Sequence, residues 1–122
     1  MYSIVMALLM ITPGPYEIPP QTEEPTIITS SWYGEEFDGR KTASGEVFRA
    51  NDPEMAAHRE LPFGTRVLLE NPSTGQKQEV TISDRGPFHD NRDLDVSEAA
   101  AENLGFKDKG VASLEATIIS KP

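Results

Sequence analysis

The chain has 122 residues, of which 37% are apolar, and its formal net charge is −9 at pH 7. This length and composition predict one small globular domain. The negative charge argues against nucleic acid as a partner, because phosphate groups would be repelled, and it disfavours an anionic membrane surface. The sequence contains no cysteine. That excludes disulfides, thiolate chemistry and a lipid anchor on cysteine, so we expect no membrane anchor.

The first 27 residues differ in composition from the rest. Residues 1–12 are apolar but too short to span a bilayer as a helix. They have the length of a signal-peptide core, although no basic residue precedes them and no small-x-small cleavage site follows. A degenerate export signal and a loosely packed tail both stay open. Residues 13–27 are rich in proline, which predicts an extended tether leading to a folded domain at 28–122.

Hydrophobic patterning predicts a mainly β domain. Strands are predicted at 27–33, 65–71, 76–83 and 111–119, and the second and third are joined as a hairpin by turn-forming residues. A short helix is predicted over 97–105 with Ser97 as its N-cap, and Met55–Ala57 is predicted as a further helical turn. Short strands with one or two helical turns in this length indicate a small closed or nearly closed barrel.

Polar residues are concentrated where the predicted strand 76–83 ends. The loop that follows is stiffened by Gly86-Pro87 and is flanked by Asp84 and Asp95. Cleavage of a glycosidic bond requires a carboxylic acid that is still protonated when it meets the bridging oxygen, and burial or a second carboxylate nearby provides this. A hydrolase uses the second carboxylate on water or as nucleophile, whereas a lytic enzyme lets the sugar's own hydroxyl attack. The candidate acids and bases are Glu46, His58, Asp84, Asp93 and Asp95.

Four of these residues also have a structural interpretation, and for Asp93 it is a solvated side chain. Asp84 can cap the turn that follows it, and Arg85 can neutralise its charge. Asp95 can open a capping box at the helix, although Ser97 competes for that position. His58 can be a core histidine that bonds to the backbone.

Metal and cofactor sites are not predicted. Residues 91–95 resemble the start of a calcium loop, but Val96 stands where such a loop needs glycine, and the distal glutamate is missing. His58 and His89 lack the spacing of metal ligands. A phosphate-binding glycine loop and a dinucleotide fingerprint are also missing. We therefore expect no metal and no cofactor.

Five motifs, in this order, resemble the RlpA (rare lipoprotein A) family over about residues 30 to 120. They are Ser31-Trp32-Tyr33-Gly34, residues 39–46, residues 56–59 with 61–67, Asp84-Arg85-Gly86-Pro87-Phe88, and Asp95-Val96-Ser97 with residues 99–100 and 104–105. Together the motifs are a far more specific signal than any one of them alone. The resemblance implies a six-stranded double-psi β-barrel with an open groove.

The resemblance also implies an activity, endolytic lytic transglycosylation. In that reaction the MurNAc–GlcNAc bond of peptidoglycan is cut without water and leaves a 1,6-anhydro-muramyl end. Carried over by motif, Glu46, His58 and Asp84 line the active groove, and Asp95 matches the aspartate that moves the proton in expansin and family-45 cellulase barrels. We expect Asp84 or Asp95 to be the acid/base, with Asp84 ahead. The implied substrate-binding residues are Trp32, Tyr33, Thr42, Arg85 and Phe88.

The implied partner is peptidoglycan, the implied location is the cell envelope, and we expect a monomer. An alternative function is open, because a fold alone does not fix chemistry. The same barrel can serve as a non-catalytic, expansin-like module that binds or loosens a polysaccharide. The joint presence of Glu46, His58 and Asp84 favours the enzyme, since a pure binder has no chemical need for all three.

Overall fold

The computed structural model describes residues 24–89 and 91–122; the predictions for residues 1–23 lie outside this range. Its elements in chain order are β1 (Thr26–Tyr33), a 3₁₀ turn (Glu35–Phe37), β2 (Met55–His58), β3 (Arg66–Glu70), β4 (Lys77–Asp84), β5 (Leu94–Ser97), α1 (Glu98–Asn103) and β6 (Val111–Ser120). The six strands close into one barrel in the order β1-β5-β2-β4-β3-β6. The predicted mainly β, six-stranded barrel is confirmed.

Two parallel strand pairs distinguish this barrel from a simple meander. β1 runs parallel to β5, and β2 runs parallel to β4, whereas the other neighbours are antiparallel. A parallel pair cannot be joined by a tight turn, so each requires a long crossing connection. The barrel therefore brings together segments that are far apart in sequence.

The elements with a strong local signal form as predicted. β3 and β4 make the expected hairpin, closed by Asn71, whose backbone N–H donates to the Gln76 carbonyl at 2.9 Å. Ser97 is the N-cap of α1, because its Oγ accepts from the Ala100 N–H at 3.2 Å. Asp95 lies within β5 and does not cap the helix.

The predicted helical turn at Met55–Ala57 is wrong, since Met55–His58 is the strand β2. β2 has neighbours on both sides, β5 and β4, so its backbone groups are satisfied by the sheet. Alanine has a high helix propensity, but four residues give too little of it to outweigh pairing on both edges.

The core fills the barrel and the space under α1. Its fully buried side chains include Leu69, Val80, Ile82, Val96, Leu104, Phe106 and Leu114. Val80 and Ile82 are two apart on β4 and Leu94 and Val96 two apart on β5, as expected of strands that turn one face inward. Within the described ranges, no helix has the length and apolar character needed to cross a membrane.

Candidate active site

An open groove of about 410 Å³ lies where β1, β4 and β5 meet the loop after β4. We call it the carboxylate groove. It is lined by Ser31, Trp32, Tyr33, Glu36, Phe37, Ala57, Asp84, Arg85, Gly86, Pro87, Phe88, His89, Arg92 and Asp95. Six of the nine residues predicted to form the site are in this lining: Asp84, Asp95, Trp32, Tyr33, Arg85 and Phe88.

The sheet register aligns the two aspartates of the groove. Ala57 on β2 pairs with Asp95 of β5 on one side and with Asp84 of β4 on the other. Two strand spacings of about 4.8 Å each therefore separate the aspartate Cα atoms, about 10 Å in total. The buried Ala57 lies between the two carboxylates and also lines the groove. Its methyl group leaves the space above it open to a ligand.

A β-bulge contributes to the position of Asp84. Ala56 pairs with Ile82, but Ala57 pairs with Asp84, so Ser83 is skipped in the register. Strict alternation along β4 would turn Asp84 to the same side as the buried Ile82. The extra residue breaks that alternation, which is a common role of bulges beside functional sites.

Asp95 is the aspartate with the shifted proton affinity. Burial of the carboxyl raises its pKa, and the nearby Asp84 raises it further. The Ser31 hydroxyl, which donates to Asp95 Oδ1 at 2.9 Å, and the charges of Arg92 and His89 act in the opposite direction. Because burial is the largest effect, the Asp95 carboxyl retains its proton to higher pH than an exposed aspartate.

Asp84 is held by the backbone. Its Oδ1 accepts from the Ala43 N–H at 2.9 Å and from the Arg85 N–H at 2.8 Å. The second bond is local, but it comes from the next residue, whereas a turn-capping aspartate accepts from the backbone two residues on. Neither bond involves Oδ2, and no other hydrogen bond to Asp84 is found among the described residues. Asp84 is thus a carboxylate oriented by two backbone donors in the groove.

Arg85 does not neutralise Asp84. Its guanidinium donates to the carbonyls of His58 and Leu61, at 3.0 and 2.8 Å, and lies 3.9 Å from the centre of the Phe63 ring. The Arg85 side chain therefore braces the loop after β2 against the loop after β4. No ion pair of the described residues joins it to Asp84.

Aromatic side chains form part of the groove wall. The Trp32 indole donates to the Lys107 carbonyl at 3.0 Å, which fixes the ring. Tyr33 stacks on Phe48 with ring centres 4.1 Å apart, and its buried hydroxyl has no hydrogen-bond partner among the described residues. Phe88 is 80% exposed at the rim. An exposed ring beside carboxylates is suited to stack on a sugar ring.

Three predicted site residues lie outside the lining. Thr42 is buried, and its hydroxyl bonds to Ser44 Oγ and to the Glu46 carbonyl, both at 2.9 Å. Glu46 is exposed, and its backbone accepts the bonds that close the loop 42–46. That loop touches the groove through the Ala43 N–H on Asp84.

His58, the third of them, lines a different, largely apolar pocket of about 200 Å³ with Leu61, Leu94 and Ile118 among others. Its Nδ1 accepts from the backbone N–H groups of Glu60 and Leu61, both at 3.0 Å. Burial lowers the pKa of the imidazole, and the neighbouring Arg59 lowers it further. A neutral imidazole accepting at Nδ1 is what these contacts require.

Several groove residues were not predicted as site residues, and two of them, Ser31 and Arg92, matter for the chemistry. Ser31 donates to Asp95, but the two are 64 residues apart and meet through the parallel register of β1 and β5. Arg92 lies in the loop between Asp84 of β4 and Asp95 of β5, yet nothing in the local pattern shows that it faces the groove. Among the described residues, no three His, Asp or Glu side chains form a cluster that could hold a metal ion.

Comparison with known proteins identifies the family. A family model described as "Lytic transglycolase", a double-psi β-barrel (DPBB) family, matches residues 26–116. A probable endolytic peptidoglycan transglycosylase RlpA from Treponema pallidum is 54% identical over 83 residues, 68% of this chain and 26% of the relative. The corresponding Synechocystis protein is 48% identical over 90 residues, 74% of this chain and 28% of the relative.

A solved structure supports the fold alone. An expansin of Clavibacter michiganensis superposes with a TM-score of 0.63 at 18% identity, covering 81% of this chain and 52% of that one. The alignments with the two RlpA relatives span little more than a quarter of those proteins. Taken with the closed barrel and its paired aspartates, the family match shows that this chain belongs to the RlpA family of double-psi β-barrel domains.

Proposed function

We propose that this domain is an endolytic lytic transglycosylase that cuts the MurNAc–GlcNAc bond of peptidoglycan without consuming water. The observation that carries the proposal is the pair of carboxylates, Asp84 and Asp95, on either side of Ala57 in one open groove. The RlpA relatives, which are described as peptidoglycan transglycosylases, supply the substrate class. A peptidoglycan substrate implies a place of action in the cell envelope.

Asp95 is the proton donor in this proposal, because burial raises its pKa and favours the protonated form. It gives its proton to the bridging oxygen, and the bond from that oxygen to C1 of the muramyl residue breaks. The resemblance put Asp84 ahead for this role, whereas the burial of Asp95 favours the opposite assignment.

Asp84 then accepts the proton of the muramyl C6 hydroxyl as that oxygen attacks C1. The products are a 1,6-anhydro-muramyl end and a free 4-hydroxyl on the GlcNAc residue. One proton has left Asp95 and one has reached Asp84, so proton exchange with solvent restores both groups. No water molecule is incorporated.

The remaining predicted residues have supporting roles. Trp32, Tyr33 and Phe88 contact sugar rings along the groove wall. Glu46 and Thr42 act as positioning residues through the loop that donates the Ala43 N–H to Asp84. His58 holds the backbone segment whose carbonyls bind Arg85.

The test is incubation of the purified protein with peptidoglycan in water enriched in ¹⁸O, followed by mass spectrometry of the fragments. We expect anhydro-muropeptides without ¹⁸O at the new ends. Asp84→Asn and Asp95→Asn should each lower the rate by about a hundredfold or more, while both keep an acceptor oxygen for the bonds seen here. Asp108→Asn, at an exposed carboxylate outside the groove, is the matched control.

Three results would decide against the proposal. One is the absence of anhydro products across the pH range, and another is ¹⁸O at the new ends, which would indicate a hydrolase. Binding of glycan without any cleavage would instead support the non-catalytic, expansin-like module.

A further inference from the structure

Arg92 presents a cation at one end of the carboxylate groove. It lines the groove and also an adjoining depression of about 380 Å³, which it shares with Arg59, Phe88 and His89 among others. The Arg92 side chain is half-buried. No ion pair or side-chain hydrogen bond of the described residues involves its guanidinium, so its donors are available to a ligand.

Two other arginines near the groove, Arg85 and Arg59, are committed to the fold. Arg85 donates to two carbonyls of the loop after β2. Arg59 donates to the Pro87 and Arg92 carbonyls, at 2.7 and 2.6 Å, and so ties down the loop that bears Arg92. The next residue, Asp93, exchanges hydrogen bonds with the backbone of Thr29 on β1, at 2.8 and 2.9 Å. The backbone that carries Arg92 is therefore fixed on both sides.

Because the protein is strongly acidic, a cation in the groove affects which ligands can bind there. The chain has a net charge of −9, and the groove contains two aspartates, so a ligand bearing carboxylates is repelled unless a local cation compensates. Arg92 and His89 are close enough to Asp95 to act on its ionisation. A planar guanidinium matches a carboxylate in a two-pronged bond, which gives direction as well as charge.

We propose that Arg92 forms a subsite for a carboxylate carried by the glycan, next to the sugar ring that stacks on Phe88. The inference rests on the proposed function and extends it to substrate selection. In peptidoglycan such a carboxylate is either the free lactyl group of MurNAc or a group of the stem peptide. Both sources offer the same chemistry to Arg92.

The experiment measures binding, so that it does not depend on turnover. Calorimetry on the Asp84→Asn protein compares strands with free lactyl carboxylates, the same strands after conversion of the carboxylates to methylamides, and strands bearing stem peptides. We expect the best carboxylate-bearing ligand to bind about tenfold more tightly than the methylamide form. The preference should shrink as salt is raised.

Variants at position 92 test whether Arg92 causes the preference for carboxylates. Adding Arg92→Gln should abolish the preference, and Arg92→Lys should retain part of it, because the charge remains while the two-pronged geometry is lost. Lys77→Gln removes a cation at the far end of β4, about 23 Å from Asp84 by strand rise, and should keep the full preference. The carboxylate source whose affinity falls in Arg92→Gln is the one that Arg92 recognises.

The inference is overturned if the wild-type sequence at position 92 shows no preference, or if Arg92→Gln retains it. These outcomes are independent of the cleavage assay. A protein that prefers carboxylates through Arg92 but releases no anhydro product would refute the proposed function alone. Cleavage with equal binding of acid and amide forms would refute the subsite alone.

Discussion

Replacing Arg85 by alanine separates two roles for this side chain. The sequence places Arg85 among substrate-binding residues, but its guanidinium makes two hydrogen bonds to loop carbonyls and covers the Phe63 ring. Two bonds from a charged donor at a half-buried position, together with a cation–π contact, amount to about 3 kcal/mol of unfolding free energy. For a folded body of this size the Tm should fall by roughly 12 to 24 °C.

The activity of Arg85→Ala should change in a specific way. The Arg85 backbone N–H holds Asp84 Oδ1, so a loosened turn should lower kcat. KM should change little, because the guanidinium donors are used by the His58 and Leu61 carbonyls. A substrate-binding role predicts the reverse, a raised KM with unchanged stability.

Urea unfolding followed by fluorescence of Trp32, the single tryptophan of the chain, measures the stability change. Kinetics of anhydro-product release, measured on the same samples, supply kcat and KM. The unfolding midpoint of Arg85→Lys should lie between those of wild type and Arg85→Ala. The Arg92 side chain has no partner among the described residues, so Arg92→Gln should leave the unfolding midpoint unchanged. An Arg85→Ala midpoint equal to that of wild type would refute the bracing argument.

Three further predictions concern the groove. Ser31→Ala removes the hydroxyl that lowers the pKa of Asp95, so the alkaline limb of the pH–rate profile should move to higher pH. The control Ser30→Ala, at the neighbouring position of β1, should leave this limb where it is. An unmoved limb in Ser31→Ala would exclude Asp95 as the acid whose deprotonation the limb reports. Tyr33→Phe deletes a buried hydroxyl that has no hydrogen-bond partner among the described residues, and it keeps the stack on Phe48. Urea unfolding should therefore show an unchanged free energy of unfolding or a gain of up to about 1 kcal/mol. A loss of that size would show that the hydroxyl is hydrogen-bonded. Asp95→Asn should raise the Tm at pH 7, and this gain should disappear in acid. Burial raises the pKa of Asp95 in the folded state, so its carboxyl stabilises the wild-type fold below its unfolded-state pKa and loses that contribution as pH rises through its folded-state pKa. Equal melting temperatures at both pH values would contradict the effect of burial on Asp95.

Local signals predicted most of the fold. The β3–β4 hairpin, the Ser97-capped helix and the last strand depend on turn residues, a cap and alternation that lie within a few residues of each other. Two strands, β2 and β5, are not predicted by the local pattern. The four residues of β2 favour a helix and become a strand through neighbours on both sides, and the four residues of β5 likewise have a neighbour on each side. Such pairing cannot be seen in a local window.

The sequence predicted the kinds of residue in the candidate site and some of the residues that line it. The loop signature found Asp84 and Asp95, and the structure places both in one groove. The bond from Ser31 to Asp95 and the position of Arg92 in the groove lining depend on long-range register and on loop contacts, so the local pattern does not contain them. Glu46 and His58 lie within recognised motifs, but the direction of each side chain is set by the loop around it. Their roles in catalysis stay predictions.

The alignment of Asp84, Ala57 and Asp95 across three neighbouring strands has a consequence for how such a site can be altered. Main-chain hydrogen bonds of the barrel set the gap between the two carboxyl-bearing backbones, and a hinge or lid would have to break them to widen it. The distance between the two carboxyl groups can therefore be changed by lengthening a side chain, as in Asp84→Glu. The space between them can be changed by replacing Ala57 with a larger residue. Remodelling of the outer loops should change which polymer enters while the proton-transfer geometry stays the same.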